Sequence, residues 1–351
     1  MASMDIGIAL TPTADCWKVV QRAEELGFSH AWFYDTQLLC TDILVAMTAA
    51  AMSTKKIKLG AGVLVPSNRN VAVAANAMAS LNALAPGRII AGLGTGYTAR
   101  RTMGLGAHKL REVHDYAETM RALWRGEIVS DSVENKHHKF TFMHPDDRFV
   151  NTTDDIPVHI SAFGPKARKL AAEHADGFIN AWMSPNALEE IKEVKDQRRK
   201  LDNHTPLYST CLNLGCILQD GEAYDSPRAR AQAGPWPAIA WHWFVEDGDK
   251  AQIPPALQPL IEQYREVYLS YEPEDARYIT LHSGHLMYLR PEEEQFVTGE
   301  MLKALTLTGR PNEIIERRDA LQAAGYDQTT IQIVPGHESE LEQWAKVLIR
   351  R

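Results

Sequence analysis

Short apolar runs alternate with longer helix-like stretches along most of this chain, and that alternation limits the folds open to it. The strand-like runs are Met4–Leu10, His30–Asp35, Ile57–Val65, Arg88–Gly94, Val158–Ala162, Gly177–Trp182, Tyr208–Leu218 and Thr329–Val334. Helical spacing or alanine-rich composition fills the gaps at Cys16–Leu26, Ile43–Met52, Val71–Leu84, Leu110–Arg125, the stretch after Gly164, Leu188–Leu201, Pro311–Ala324 and Ser339–Ile349. Nearly continuous apolar strands separated by helices signify a parallel sheet covered on its faces. Eight such units, with no natural stopping point for an open sheet, predict an α/β fold of the (β/α)8 TIM-barrel type. Two insertions are expected, after strand 4 and after strand 7. In the first, Lys136–Phe142 reads as a hairpin strand and Met143–Asp155 as a loop. The second, near residues 220–300, is rich in proline and aromatics and is expected to shape a substrate pocket. One barrel domain with insertions accounts for all of residues 1–351.

Composition removes several classes of function. A net charge of −8 argues against a general nucleic-acid binder, which needs a surplus of clustered cations. Cys16, Cys40, Cys211 and Cys216 show neither zinc-ligand nor secreted-disulfide spacing, so they read as reduced packing residues of a cytoplasmic protein. No signal peptide is visible, and no apolar run approaches the roughly 20 residues that span a bilayer.

In a TIM barrel, chemistry gathers at the carboxyl ends of the strands. Those ends are Tyr34-Asp35-Thr36, Gly62-Val63 with Ser67-Asn68, Gly94-Thr95-Gly96-Tyr97, Ser161 to Lys166, and Asn180-Ala181-Trp182. They supply a carboxylate, hydroxyls, amides, aromatics and one lysine, without a metal-ligand cluster or a G-x-S-x-G nucleophile. Such a set suits a planar aromatic cofactor with a phosphate tail, which would carry the hard chemistry itself. After the fifth strand, Gly164 permits close backbone approach, Pro165 suits the first helical position and Lys166 follows in the first turn. With Ser161 they read as a phosphate cradle, or else as an ordinary strand-to-helix turn carrying a surface lysine.

Four stretches resemble the bacterial luciferase-like superfamily of flavin- and deazaflavin-dependent oxidoreductases. They are AEELGFSHAWFYD (Ala23–Asp35), the run from Leu59 to Tyr97 with its glycines, Pro66, Arg69 and Gly87-Arg88, the GPKARKLAAEHADGFI turn, and Leu307–Gln332. The resemblance implies a cofactor ring packed on a bulge after strand 3, with a non-prolyl cis peptide at Gly62–Val63. It also implies a phosphate held near Ser161, Ala162, Gly164 and Lys166, and Thr95 and Gly96 beside the ring. Two positions depart from the family. Many deazaflavin dehydrogenases carry histidine where Thr36 stands, and some carry a carboxylate where Tyr97 stands. Those departures argue against a sugar-phosphate dehydrogenase.

On this basis FMN is the expected cofactor and the 5-deazaflavin coenzyme F420 the alternative. The expected reaction is oxygenation of a small organic substrate by a two-component monooxygenase supplied with reduced FMN by a separate flavin reductase. Hydride transfer with the deazaflavin is the alternative, and a non-catalytic flavin-binding protein a third reading. A homodimer or homotetramer is expected. Asp35, Thr36 and Tyr97 are candidate catalytic residues. In the second insertion, LHSGHL offers His282 and His285 for proton transfer, and WPAIAWHWF (Trp236–Phe244) offers shielding aromatics. Two histidines alone fall short of a ligand set, so no metal is expected. The Arg100-Arg101 pair reads as part of a surface loop after strand 4, or else as a basic patch that draws in an anionic substrate or cofactor tail.

Overall fold

The structure is a computed structural model and describes residues 3–133, 136–146, 148–182, 186–201, 205–247 and 257–349. Its strands are β1 (Asp5–Leu10), β2 (His30–Phe33), β3 (Lys58–Ala61), β4 (Ile89–Leu93), β5 (Val129–Val133), β6 (Lys136–Phe140), β7 (Val158–Ser161), β8 (Gly177–Ala181), β9 (Tyr208–Leu212) and β10 (Gln328–Ile333). Eight of them close into a parallel barrel in the order β1-β10-β9-β8-β7-β4-β3-β2. Closure is made by β1 on β10, in register from Asp5 opposite Gln328 to Leu10 opposite Ile333. The other two, β5 and β6, form a separate antiparallel hairpin. The (β/α)8 architecture and the hairpin in the first insertion agree with the reading above.

Local chemistry sets the helix boundaries. Asp42 caps the helix Ile43–Ser53 by accepting from the Leu44 N–H at 2.8 Å. Asn70 caps Val71–Leu84 in the same way, accepting from the Ala72 N–H at 2.9 Å. Gly27, at φ 98°, closes Trp17–Leu26 in the left-handed conformation that disfavours other residues. The apolar faces of these helices and the outer faces of the strands make the main core, which includes Val20, Met47, Met78, Met120 and Trp344.

Three expectations need correction. Regular pairing in β9 ends at Leu212, not Leu218, and in β3 it ends at Ala61. Beyond Ala61 the chain leaves the ladder after a last Gly62 N–H to Phe33 carbonyl bond of 2.7 Å, and meets β4 again at a Leu64–Leu93 bridge. Arg100 and Arg101 lie on a short helix, Tyr97–Arg101, and Arg101 is largely buried by an acidic pair from the second insertion. That insertion, whose residues 248–256 lie outside the described set, folds as helices: Pro227–Ala233, Pro235–Asp247, Gln258–Leu269, Tyr278–Leu281 and Gly299–Leu305. Its own core joins Trp241, Tyr264, Tyr271, Leu281 and Phe296. Among the described residues no helix is long and apolar enough to cross a membrane.

The barrel interior is filled, not hollow. Trp32 lies over Gly60, where a Cβ would come within 2.5 Å of the indole, and its Nε1–H donates to Gln328 at 2.9 Å. On the neighbouring strand a Cβ at Gly92 would stand 2.0 Å from the Ala61 carbonyl oxygen, a backbone atom that cannot swing aside. Gly92→Ala is therefore expected to lower stability by about 1–3 kcal/mol or more, the usual cost of overpacking. Gly164→Ala, with open space around it and φ −90°, is expected to be neutral. Denaturant unfolding of the two variants checks this, and equal midpoints would show that the β3–β4 spacing yields easily.

Candidate active site

The carboxyl ends of the strands and the second insertion enclose a cavity of about 620 Å³, within the range of small-molecule sites. From the barrel come Thr11 after β1, Tyr34-Asp35-Thr36 after β2, Gly62-Val63 after β3, Gly94 to Tyr97 after β4, Ser161 and Phe163 at β7, and Asn180 on β8. The insertion covers them with Trp236, Ile239, Trp243, Phe244, His285 and Leu286. Trp236 is anchored to the barrel, its Nε1–H donating to the Trp182 carbonyl at 3.0 Å.

Asp35, Thr36, Gly62, Val63, Thr95, Gly96, Tyr97, Ser161 and His285 all line this cavity. Four other candidates do not. Ala162 is packed in the hydrophobic core beside β7, and Gly164 and Lys166 are exposed at the start of the helix Pro165–His174. His282 is fully buried within the insertion and the loop after β4. The Gly62–Val63 peptide is cis. Gly94 allows this segment to close on β4, since a Cβ there would stand 2.5 Å from Val63 Cγ2.

Buried polar atoms normally find partners, and among the described residues three of the cavity wall retain one without, His285 at Nδ1 and two on the barrel. Thr11 Oγ1 and Asn180 Oδ1 are both buried and unpartnered. Asn180 is otherwise fixed, its amide donating to Glu190 at 2.8 Å and to the Tyr326 hydroxyl at 3.1 Å. A flat heterocycle with donors and acceptors along its edge, set among mostly apolar walls, matches this pattern. A flavin or deazaflavin ring therefore fits the residues present.

Charge at and behind the cavity wall centres on Asp35, in the lining, and Glu246, behind Tyr97. Asp35 accepts from both Arg69 (2.8 and 2.9 Å) and Asn68 (3.2 Å). Burial pushes its pKa up, opposed by the Arg69 guanidinium. Arg69 also reaches Asp42 at 2.6 Å, which fixes the guanidinium independently of Asp35. Glu246, from the insertion, pairs with Arg101 at 3.0 Å and with His282 Nε2 at 3.0 Å. Arg101 in turn covers the Tyr97 ring at 4.6 Å. Burial, then the charge of Glu246, raises the Tyr97 phenol, so it stays protonated.

Sequence reading passed over Glu246, His242 and Glu293, and took Arg101 for a surface-loop residue. His242 sat inside a tryptophan-rich run that reads as packing. In the fold its Nε2 meets Glu293 at 2.7 Å. Burial works against the Glu293 charge, but His242, Arg290 and the Tyr264 hydroxyl outweigh it and hold the group at about 2. Burial also lowers His242 and His285 below the usual imidazole range.

Comparison with known proteins accords with this geometry. The model of the luciferase-like monooxygenase family matches residues 7–328. A 5,10-methylenetetrahydromethanopterin reductase of Archaeoglobus fulgidus is 26% identical over 331 residues, 93% of this chain and 92% of the relative. An F420-dependent glucose-6-phosphate dehydrogenase of Beutenbergia cavernae is 34% identical over 205 residues, 55% of this chain and only 57% of the relative. Among solved structures, the coenzyme F420-dependent tetrahydromethanopterin reductase of Methanopyrus kandleri superposes with a TM-score of 0.70 over 99% of both chains, at 20% identity. The match over nearly the whole barrel, with the closed parallel sheet and the cavity at its carboxyl end, places this chain in the luciferase-like monooxygenase family of flavin- and deazaflavin-dependent oxidoreductases.

Proposed function

We propose that the protein is a deazaflavin-dependent oxidoreductase that moves a hydride between F420 and a small organic substrate. The observation that carries this reading is the company the chain keeps: relatives that align with it are F420-dependent or reduce a methylene-pterin. Support thus passes from FMN oxygenation to the deazaflavin alternative. Bound in the cavity, the deazaflavin supplies a two-electron hydride donor or acceptor.

The chain's own residues do the rest. Thr11 and Asn180, each with an unpartnered oxygen in the cavity wall, would hydrogen-bond the ring, and Val63 and Gly94 would pack against it. Trp236, Trp243 and Phe244 exclude water. Asp35 is the group that takes a proton: when a substrate hydroxyl carbon gives up a hydride, the hydroxyl proton goes to the carboxylate. The Tyr97 phenol, kept protonated, points its hydrogen at Glu246 over a long 3.5 Å contact and would turn it to a substrate oxygen. Of the two lid histidines only His285 borders the substrate space; its Nε2 is engaged by Thr98 and burial keeps the ring neutral, so proton transfer is assigned to Asp35. Lys166 and the free N–H groups at the start of the helix Pro165–His174 hold the cofactor phosphate at the rim.

Fluorescence titration with F420, FMN and reduced FMN tests the reading, with F420 expected to bind tightest. Tight binding of reduced FMN, coupled to oxygen uptake, would return the assignment to the monooxygenase. Lys166→Ala is expected to weaken F420 binding by about 1.5–3 kcal/mol, the worth of a charge-assisted hydrogen bond, without affecting stability. Unchanged affinity would move the phosphate elsewhere.

A further inference from the structure

Three histidines meet between the insertion and the loop after β4. His242 comes from the helix Pro235–Asp247, and His282 and His285 from the segment following Tyr278–Leu281. They are 4%, 1% and 7% exposed. Their ring centroids form a nearly equilateral triangle with sides of 5.7, 5.9 and 6.1 Å. One nitrogen from each ring lies within 4.8 Å of the other two.

The remaining hydrogen bonds show which nitrogens are available. Nε2 of His242 is held by Glu293 at 2.7 Å, Nε2 of His282 by Glu246 at 3.0 Å, and Nε2 of His285 by the Thr98 hydroxyl at 2.8 Å. Nδ1 of every one of the three is buried and has no partner. Three orphaned nitrogens on rings packed this closely are costly unless something accepts all of them. A cation does so. With Nδ1 on a metal, each Nε2 would carry the hydrogen and donate to its carboxylate or hydroxyl partner, the outer arrangement that fixes tautomer and ring direction in metal-bound imidazoles.

We propose that His242, His282 and His285 bind one divalent first-row transition ion, zinc by default, through their Nδ1 atoms. Nitrogen ligands exclude magnesium and calcium as the natural occupant. Around a tetrahedral zinc with bonds of about 2.0–2.1 Å, ligand nitrogens stand about 3.4 Å apart. The triangle therefore contracts by small ring rotations when loaded. Three protein ligands leave a fourth position for water or a substrate oxygen. His285 and Thr98 both border the cavity, so the ion sits in the wall of the substrate space. It also ties two segments of the insertion to each other and, through Thr98, to the barrel.

The test reads metal directly and needs neither cofactor nor substrate, so its outcome is independent of the hydride-transfer reading. Full-length protein is stripped with chelator, loaded with zinc or cobalt, desalted and analysed by elemental mass spectrometry, and the cobalt form by its visible d–d bands. About one ion per chain and tetrahedral-type cobalt bands are expected. The His242→Ala, His282→Ala and His285→Ala variants are expected to lose the ion, and His108→Ala, away from the cluster, to keep it. Glu293→Gln is expected to weaken zinc binding about 10–100-fold through His242. Cobalt bands in the wild-type protein supply the readout even where an alanine variant does not fold. Overturning results are wild-type protein that retains no zinc or cobalt, or an ion that persists when all three histidines are replaced.

Discussion

Arg101→Met is expected to detach the insertion from the barrel and to cost about 3–5 kcal/mol, the usual loss when one partner of a buried ion pair is removed. Arg101 is 16% exposed and Glu246 8% at the side chain. The guanidinium bridges Glu246 and Asp247 from the end of the helix Pro235–Asp247 while stacking on Tyr97. Methionine retains the bulk of the stem but leaves Glu246 in a buried site with, among the described residues, His282 and the distant Tyr97 hydroxyl (3.5 Å) as its side-chain partners. The denaturation midpoint should fall, and limited proteolysis should cut the insertion faster. Cofactor affinity should fall with it, since Trp236 and Phe244 ride on the same helix. Arg101→Lys restores charge but not the fork or the stacking, so partial recovery is expected. A midpoint within about 0.5 kcal/mol of wild type, the range of ordinary surface changes, would show that the insertion is held elsewhere.

Asp35→Asn is expected to reduce turnover about 100- to 10,000-fold, the range for loss of a general base, at nearly unchanged F420 affinity. Asparagine preserves shape, and Arg69 keeps its pairing with Asp42. The pH profile separates a chemical role from a positioning one. Substrate oxidation requires the ionised carboxylate, so the rate rises as pH climbs through the Asp35 pKa. Burial sets that pKa above the ordinary carboxylate range, with Arg69 opposing, so the ascending limb should lie higher than about 3.9, the ordinary aspartate value. It should vanish in the variant. Steady-state reduction of F420, followed by its absorbance across pH, measures both. A variant that retains the limb would transfer the proton role to another group.

The barrel was legible in the sequence because its signals are local. Apolar runs such as Ile89–Leu93, the proline at 165, and a helix-ending glycine such as Gly27 depend on backbone chemistry within a few residues. Once eight strands are counted, the rule that loops at their carboxyl ends build the site named Asp35, Gly62, Thr95, Tyr97 and Ser161 without coordinates. The same rule overreached at Ala162, which the alternation of side chains along β7 sends outward into the helix layer instead of into the cavity.

The insertion was illegible for the converse reason. Its helix Pro235–Asp247 carries three tryptophans and two prolines and shows no one-sided periodicity, because several of its faces are buried against different neighbours. Tertiary packing alone decided that Arg101 would face Glu246 across more than a hundred residues of chain. It also brought His242 to His282 and His285, forty residues further on, with Glu293 behind it. No spacing rule encodes such a meeting, since the intervening helices set the distance in space independently of the distance in sequence. A three-imidazole centre built this way has no linear motif. It exists only where the walls of the fold converge.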